Sequence, residues 1–269
     1  MKIFGDYHMH TPLCGHAVGL PSQYAERAIK VGFKEIGFSD HAPLVSHLDP
    51  AITMNRQQLP LYHAMIEDVK RRFAKKLTVK IGIEADFLPG FENATKAILA
   101  SYPYDFVLGS VHFMGRWGFD DPAERNRWSH QDVNQVYRDY YELLRQSAKS
   151  RLFDVIAHCD LVKKFGNRPT ADMTEEIRKT ARIFKETGLT IEINTSGLRK
   201  PVKEIYPALS NLKIYCAAKV PLTFGSDAHN PNDVGRDFDK GIALAKKAGY
   251  REYVIFKQRK IWRTIKFAD

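Results

Sequence analysis

The sequence predicts an α/β protein whose seven strand–helix units close into a barrel, with a doubly wound open sheet as the alternative. Three observations predict it. Short apolar runs alternate with helical patterns along the whole chain, no linker or low-complexity segment interrupts them, and 269 residues suit one barrel domain spanning 1–269. In either fold the reactive side chains gather just beyond the C-terminal ends of the strands.

The first strand runs from Lys2 into Tyr7-His8-Met9-His10. Residues two apart on a strand share a face, so His8 and His10 converge on one point. His16 follows within a loop punctuated by Pro12 and Gly15. Pro21 to Gly32 reads as a helix, with proline near its start, Tyr24, Ala25, Ala28 and Ile29 on one side, and glycine at its end. Glu35 to Ser39 is the second strand and stops at Asp40-His41. A helix from Gln58 to Lys76 turns Leu61, Met65, Val69 and Phe73 to one face. Thr78 to Phe87 is the third strand, Glu92 to Ala100 a short helix, and Asp105 to Phe113 the fourth strand.

Arg116 to His130 is polar, aromatic and charged, and is expected to be a long functional loop. Its Trp117, Phe119, Arg125, Arg127 and Trp128 are placed either partly over the mouth of the site or in a packing surface. Gln131 to Ser150 is helical, Phe153 to His158 is the fifth strand, and Thr174 to Thr187 is a helix closed by Gly188. Leu189 to Asn194 is the sixth strand, and Lys203 to Lys219 is read as mostly helical, interrupted at Pro207. Pro221 to Ser226 is the seventh strand, Pro231 to Ala248 the last helix, and Tyr253 to Phe256 begins a strand-like tail.

Composition narrows the function classes. No stretch is long and apolar enough to span a bilayer, and the N-terminus reads directly into strand sequence without a signal peptide. Three cysteines without a CxxC spacing fit a reducing cytoplasm. A net charge of +10 favours anionic partners. The excess sits in short clusters such as Lys70-Arg71-Arg72 and Lys246-Lys247, which suit solvated helix faces better than a nucleic-acid groove and leave phosphorylated metabolites and acidic surfaces as the anionic partners.

Seven of the ten histidines fall at or just past strand ends: His8, His10, His16, His41, His112, His158 and His229. Glu84 lies on the third strand and Asp227 ends the seventh, with Asp40, Asp86 and Asp160 as further candidates. Scattered core or surface histidines have no reason to distribute in this way. A tetrahedral zinc site needs four ligands. This inventory is enough for two or three ions, with a carboxylate able to bridge a pair. Mixed imidazole and carboxylate ligation suits zinc, manganese or iron.

The His8-x-His10 opening, His16, Ser39-Asp40-His41, Glu84, His112, His158 and Asp227-x-His229 span nearly the whole chain. In that order they resemble the polymerase-and-histidinol-phosphatase (PHP) superfamily. The run His10-Thr11-Pro12-Leu13-Cys14-Gly15-His16-Ala17 is similar to the histidinol-phosphate phosphatase branch. So is Glu192-x-Asn194-Thr195-x-Gly197-Leu198-Arg199-Lys200-Pro201.

The resemblance implies a distorted (β/α)7 barrel with three divalent ions. His8, His10, Glu84 and Asp227 would hold the first. Glu84 would bridge to a second, completed by His112 and His158, and His16, His41 and His229 would hold the third. It implies hydrolysis of L-histidinol phosphate in histidine biosynthesis, by hydroxide held between the first two ions and without a phosphoenzyme. A nuclease or nucleotide phosphatase of the same superfamily is the alternative, and a metal-binding accessory module of a polymerase ranks third.

Within that reading His41 and Asp40 are the catalytic candidates, Asp40 orienting His41, shuttling a proton or serving as a buried structural partner. Arg199, Arg116 and Lys163 are the candidate phosphate contacts. Thr195, Ser196 and Cys14 make no convincing nucleophile, because no base remains beside them once the histidines bind metal.

Overall fold

The computed structural model describes residues 4–47 and 49–268, so Lys2 and Ile3 of the expected first strand lie outside the described residues. Elements follow in the order β1 (Gly5–Asp6), α1 (Pro21–Val31), β2 (Glu35–Phe38), α2 (Leu59–Phe73), β3 (Thr78–Asp86), α3 (Glu92–Leu99) and β4 (Phe106–Ser110). A small hairpin, β5 (Phe113–Met114) and β6 (Trp117–Gly118), precedes α4 (Val133–Ser150), β7 (Val155–Ile156), α5 (Thr174–Thr187) and β8 (Thr190–Asn194). The chain then runs through α6 (Leu209–Ala217), β9 (Leu222–Gly225), α7 (Phe238–Ala248), β10 (Glu252–Lys257) and β11 (Lys260–Lys266).

Seven parallel strands pair in the order β1-β2-β3-β4-β7-β8-β9. Helical crossovers join them, as parallel pairing requires. The two edges meet. Tyr7 donates its backbone N–H to Phe224 O at 3.3 Å, His10 donates to Ala228 O at 2.9 Å, and Ala228 donates to His8 O at 3.1 Å. Asp6 strengthens this seam by accepting from the Ser226 backbone and hydroxyl and from Gly235 N. The result is a nearly closed barrel, as expected, and not an open sheet.

Its interior is filled from the strands themselves. Phe106 of β4 is fully buried and lies against β2 and β3 where both carry glycine. A Cβ at Gly82 would overlap its ring, and one at Gly37 would come within 2.5 Å of it. Outside the strands, α4 shows how the helices attach. Asp132 caps its first turn by accepting from Asn134 N and Gln135 N, and Val136, Tyr137, Tyr140, Tyr141 and Leu144 turn one buried stripe to the barrel. No helix among the described residues is long and apolar enough to cross a membrane.

Three segments differ from expectation. Lys203 to Pro207 is not helical: Asn194 and Tyr206 exchange backbone hydrogen bonds at 2.7 and 3.0 Å, and the helix is only Leu209–Ala217. The region after Pro231 is a short 3-10 turn, and α7 starts at Phe238, after Asp237 in a left-handed conformation. The stretch 116–130 is not a free cover. It folds as β6 and a 3-10 helix, Pro122–His130, with Trp117, Phe119 and Trp128 buried. The Trp128 indole donates to Phe119 O at 2.8 Å, so these aromatics pack on α4 as a surface patch of core.

The tail is an antiparallel hairpin, β10–β11, set under the barrel. Arg259 at its turn donates its backbone N–H to Asp105 O at 2.8 Å. The guanidinium of the same residue grips the Asp154 carboxylate at 3.0 Å and Leu152 O at 2.6 Å. Asp105 and Asp154 precede β4 and β7, so the hairpin closes the end of the barrel opposite the strand C-termini.

Phe106→Ala is expected to cost about 3–5 kcal/mol, the range for emptying a buried aromatic site. A urea denaturation midpoint equal to that of the parent protein would show that the ring does not fill the barrel.

Candidate metal centre

The strand ends place seven imidazoles and two carboxylates in one basin. β1 delivers His8 and His10, the end of β2 delivers His41, and β3 delivers Glu84. His112 follows β4, His158 follows β7, Asp227 and His229 follow β9, and His16 comes from the loop after β1. His41 and Glu84 are themselves bridged by backbone pairing. His8, His10, Glu84 and His158 are buried, His41, His112, Asp227 and His229 are half-buried, and His16 is exposed at the open side.

Glu84 is the centre of the group. Its Oε2 lies 3.1 Å from His8 Nε2, 3.1 Å from His41 Nδ1 and 3.6 Å from His10 Nε2. Its Oε1 lies 3.0 Å from His158 Nε2 and 3.9 Å from His112 Nε2. Asp227 Oδ1 stands 3.3 Å from His10 Nε2, 3.3 Å from His229 Nδ1 and 3.8 Å from His8 Nε2. The remaining rings close around these. The His10 and His229 rings stack at 4.0 Å, and the His16 and His229 rings at 4.6 Å.

The electrostatics follow from burial and mutual contact. Burial alone raises a carboxyl, yet the His8 charge and the hydrogen bonds from His158 and His8 hold Glu84 well below the usual range. Asp227 is held down in the same way, against its burial, by His8, His10 and His229. Burial and the neighbouring His10 charge push His41 and His229 well below the usual histidine value. The neighbouring carboxylates push the other way on His8 and His10, which despite their burial lie well above that value.

Several triads, among them His8–Glu84–His158, His8–His10–Asp227 and His10–His41–His229, have ligand atoms within 4.8 Å of one another. His10 Nε2 and His229 Nε2 are buried without a hydrogen-bond partner. Such orphaned atoms are costly in a protein interior, and ligation by a divalent ion removes the cost. Two of the candidate ligands, His158 and Asp227, also sit at positive φ, 29° and 52°, the kind of backbone strain found at functional sites.

Outside the ring, three carboxylates hold imidazoles from behind. Asp86 Oδ1 is 2.9 Å from His112 Nδ1, Glu192 Oε1 is 2.7 Å from His8 Nδ1, and Asp40 Oδ1 is 3.3 Å from His10 Nδ1. Asp40 also accepts from Thr11 and from the His41 backbone N–H. Fully buried and fully bonded, it faces the ring of His10 rather than that of His41. Glu192 was not among the candidate ligands or catalytic groups. Its signal was the spacing Glu192-x-Asn194, which repeats His8-x-His10, Glu84-x-Asp86 and Asp227-x-His229.

The cationic candidates separate. Arg199 donates Nη2 to Ser226 O at 2.6 Å and lies 3.5 Å from Asp233 through Nε, against the backbone of Asp227. Its Nη1 is buried and has no partner. Arg116 is exposed at the tip of the β5–β6 hairpin. Lys163 is corrected: its three donors go to Asp160 at 2.9 Å, Glu204 at 3.0 Å and Ile205 O at 2.8 Å, leaving none for a phosphate. Asp160 is tied through Oδ2 to Lys163 and Ala208 N, as a structural partner of that segment.

Fold and basin together define a metal-binding α/β-barrel protein. Residues 6–196 match the family model for the PHP domain. A probable histidinol-phosphatase from Deinococcus radiodurans is 41% identical, covering 95% of this chain and 97% of the relative. The histidinol-phosphatase of Bacillus subtilis is 33% identical, covering 87% and 96%. The crystal structure of histidinol phosphate phosphatase from Lactococcus lactis, complexed with zinc, L-histidinol and phosphate, superposes with a TM-score of 0.83. That protein is 25% identical, with 96% of this chain and 98% of that chain covered. The chain belongs to the PHP domain family.

Exhaustive chelation is expected to lower the thermal midpoint. A ligand present at a hundred times its Kd adds about 2.7 kcal/mol, which corresponds to roughly 5–10 °C for a chain of this size. Zinc readdition should restore the midpoint. Identical midpoints with and without chelator would dismiss the basin as a metal centre.

Proposed function

We infer that this protein hydrolyses L-histidinol phosphate to L-histidinol and phosphate. The observation that carries the reading is the Glu84 carboxylate, ringed on one oxygen by His8, His10 and His41 and on the other by His158 and His112. That arrangement suits a carboxylate shared between ions. The relatives' names supply the substrate.

In this reading His8, His10, Glu84 and Asp227 hold one ion, Glu84 with His112 and His158 a second, and His16, His41 and His229 a third. Zinc, manganese or iron would each suit these donors. Divalent ions bound there neutralise phosphoryl oxygens and lower the pKa of water, supplying a nucleophile near neutral pH.

The chain's own groups do the rest. Arg199 is fixed by Ser226 O, and its unpartnered Nη1 is the donor offered to a phosphoryl oxygen. Arg116, exposed at the hairpin tip, is the second candidate phosphate contact. Asp40 acts as a positioning residue: it orients the His10 ring and ties the His41 backbone to Thr11. The barrel seam excludes water from the buried side of the basin, where His8 and His10 have no exposure. The three unpaired cysteines fit a reducing cytoplasm.

Phosphate release from histidinol phosphate is expected to exceed release from nucleotides and short oligonucleotides by orders of magnitude. Preference for a nucleotide would sink the reading in favour of a nuclease or nucleotide phosphatase. A deletion strain should require histidine. Arg199→Ala should raise KM or lower kcat roughly 10- to 100-fold, the weight of a charge-assisted hydrogen bond of about 1.5–3 kcal/mol, with zinc content unchanged. Parent kinetics in that variant would remove Arg199 from the site.

A further inference from the structure

Glu192 differs from Asp86 and does for its two residues what Asp40 does for the His10 ring and the His41 backbone N–H. Asp86 serves His112 alone, through its ring and its backbone N–H. Glu192 serves two residues from different strands. Its Oε1 holds His8 Nδ1 at 2.7 Å, while its Oε2 accepts from the His158 backbone N–H at 3.0 Å and from Asn194 Nδ2 at 3.0 Å. The carboxylate is 1% exposed, so no water competes for these bonds. The His158 N–H it fixes belongs to the residue at φ 29°, a conformation that needs outside support.

The carboxylate reaches His8 by an unusual route. Glu192 is on β8 and His8 continues β1, with β9 between them. It passes through β9 at Gly225. A Cβ at that position would overlap Glu192 Oε1 outright and stand 2.5 Å from His8 Cβ. Gly225 is therefore the gap through which one strand orients a side chain two strands away.

We propose that Glu192, admitted by Gly225, is a positioning residue that couples two metal positions, holding the His8 ring for one and the His158 backbone for the other. This rests on the ligand assignment under the proposed function. With Glu192 accepting at Nδ1, the His8 tautomer is fixed with its Nε2 lone pair toward Glu84 and Asp227. A carboxylate is required because it offers two acceptor oxygens to donors on two sides, whereas an amide offers one. Glutamine keeps both contacts only by turning its amide nitrogen to His8 Nδ1, which puts the ring proton on Nε2 and withdraws that lone pair from the basin. With its oxygen toward His8 it loses the His158 N–H.

The test is zinc bound per chain, by elemental analysis after equilibration with graded chelator buffers. Glu192→Gln is expected to weaken both Glu84-linked positions together, by about 10- to 100-fold as for other partners of metal ligands. Asp86→Asn, which touches only His112, should weaken one. Gly225→Ala should reproduce the Glu192→Gln pattern with the carboxylate still present. In both variants the gap in thermal midpoint between zinc-loaded and metal-free protein should shrink, which general destabilisation would not cause.

Parent-like zinc affinity in either Glu192→Gln or Gly225→Ala overturns the proposal. So does a loss confined to one position in Glu192→Gln. If the parent protein fails to hydrolyse histidinol phosphate while this zinc pattern holds, the substrate reading fails alone. If the parent binds no zinc, the ligand assignment fails with it.

Discussion

The structure depends on one buried carboxylate that cannot stand alone. Glu84 sits on the third strand of the barrel with almost no contact with water, in a place where an uncompensated charge would cost several kcal/mol. Imidazoles brought by β1, β2, β4 and β7 surround it, and each of those strands reaches it because the sheet curls into a barrel. In an open sheet the two ends of the strand order would lie far apart, and His8 could not face Asp227. Barrel closure is thus a condition of the chemistry as well as a means of burying apolar surface.

The supports behind the ring carry the same logic outward. Asp86, Glu192 and Asp40 each present an oxygen to the outward nitrogen of an imidazole, which leaves the inner nitrogen aimed at the basin. Arg199 is bound to the carbonyl of the residue before Asp227, so the cation beside the basin and the carboxylate within it share a backbone anchor. Lys163 marks the contrast. Its charge ties the segment after β7 to Glu204 and Ile205, ahead of α6, as a buried, fully bonded ammonium.

Much of this was legible in the residues. Histidines spaced two apart on short apolar runs announced strand ends with a shared face, and the order of those runs announced a barrel. Where legibility failed, the cause was tertiary. Lys203 to Pro207 has helical composition, but its backbone groups are taken by Asn194. The aromatic stretch 116–130 has the polarity of a loop, yet its tryptophans pack on each other and its Phe119 on Tyr140 of α4, which no local pattern reveals. The β10–β11 turn uses Gln258 and Arg259 at positive φ, without the glycine or asparagine that marks such turns, so the hairpin carried no local sign. Asp160 and Lys163 are adjacent in sequence to His158, and only coordinates separate a structural ion pair from a rim of ligands.

The seam between β1 and β9 joins residues some 220 positions apart. During synthesis the first strand emerges early and must wait with an unpaired edge until the segment around Ser226 follows it out. Asp227 and His229 arrive with that same segment, and the hairpin that floors the barrel comes later still. Six of the seven imidazoles and Glu84 come from strands that pair in the order they are made, and the complete ring forms only when the last barrel strand docks.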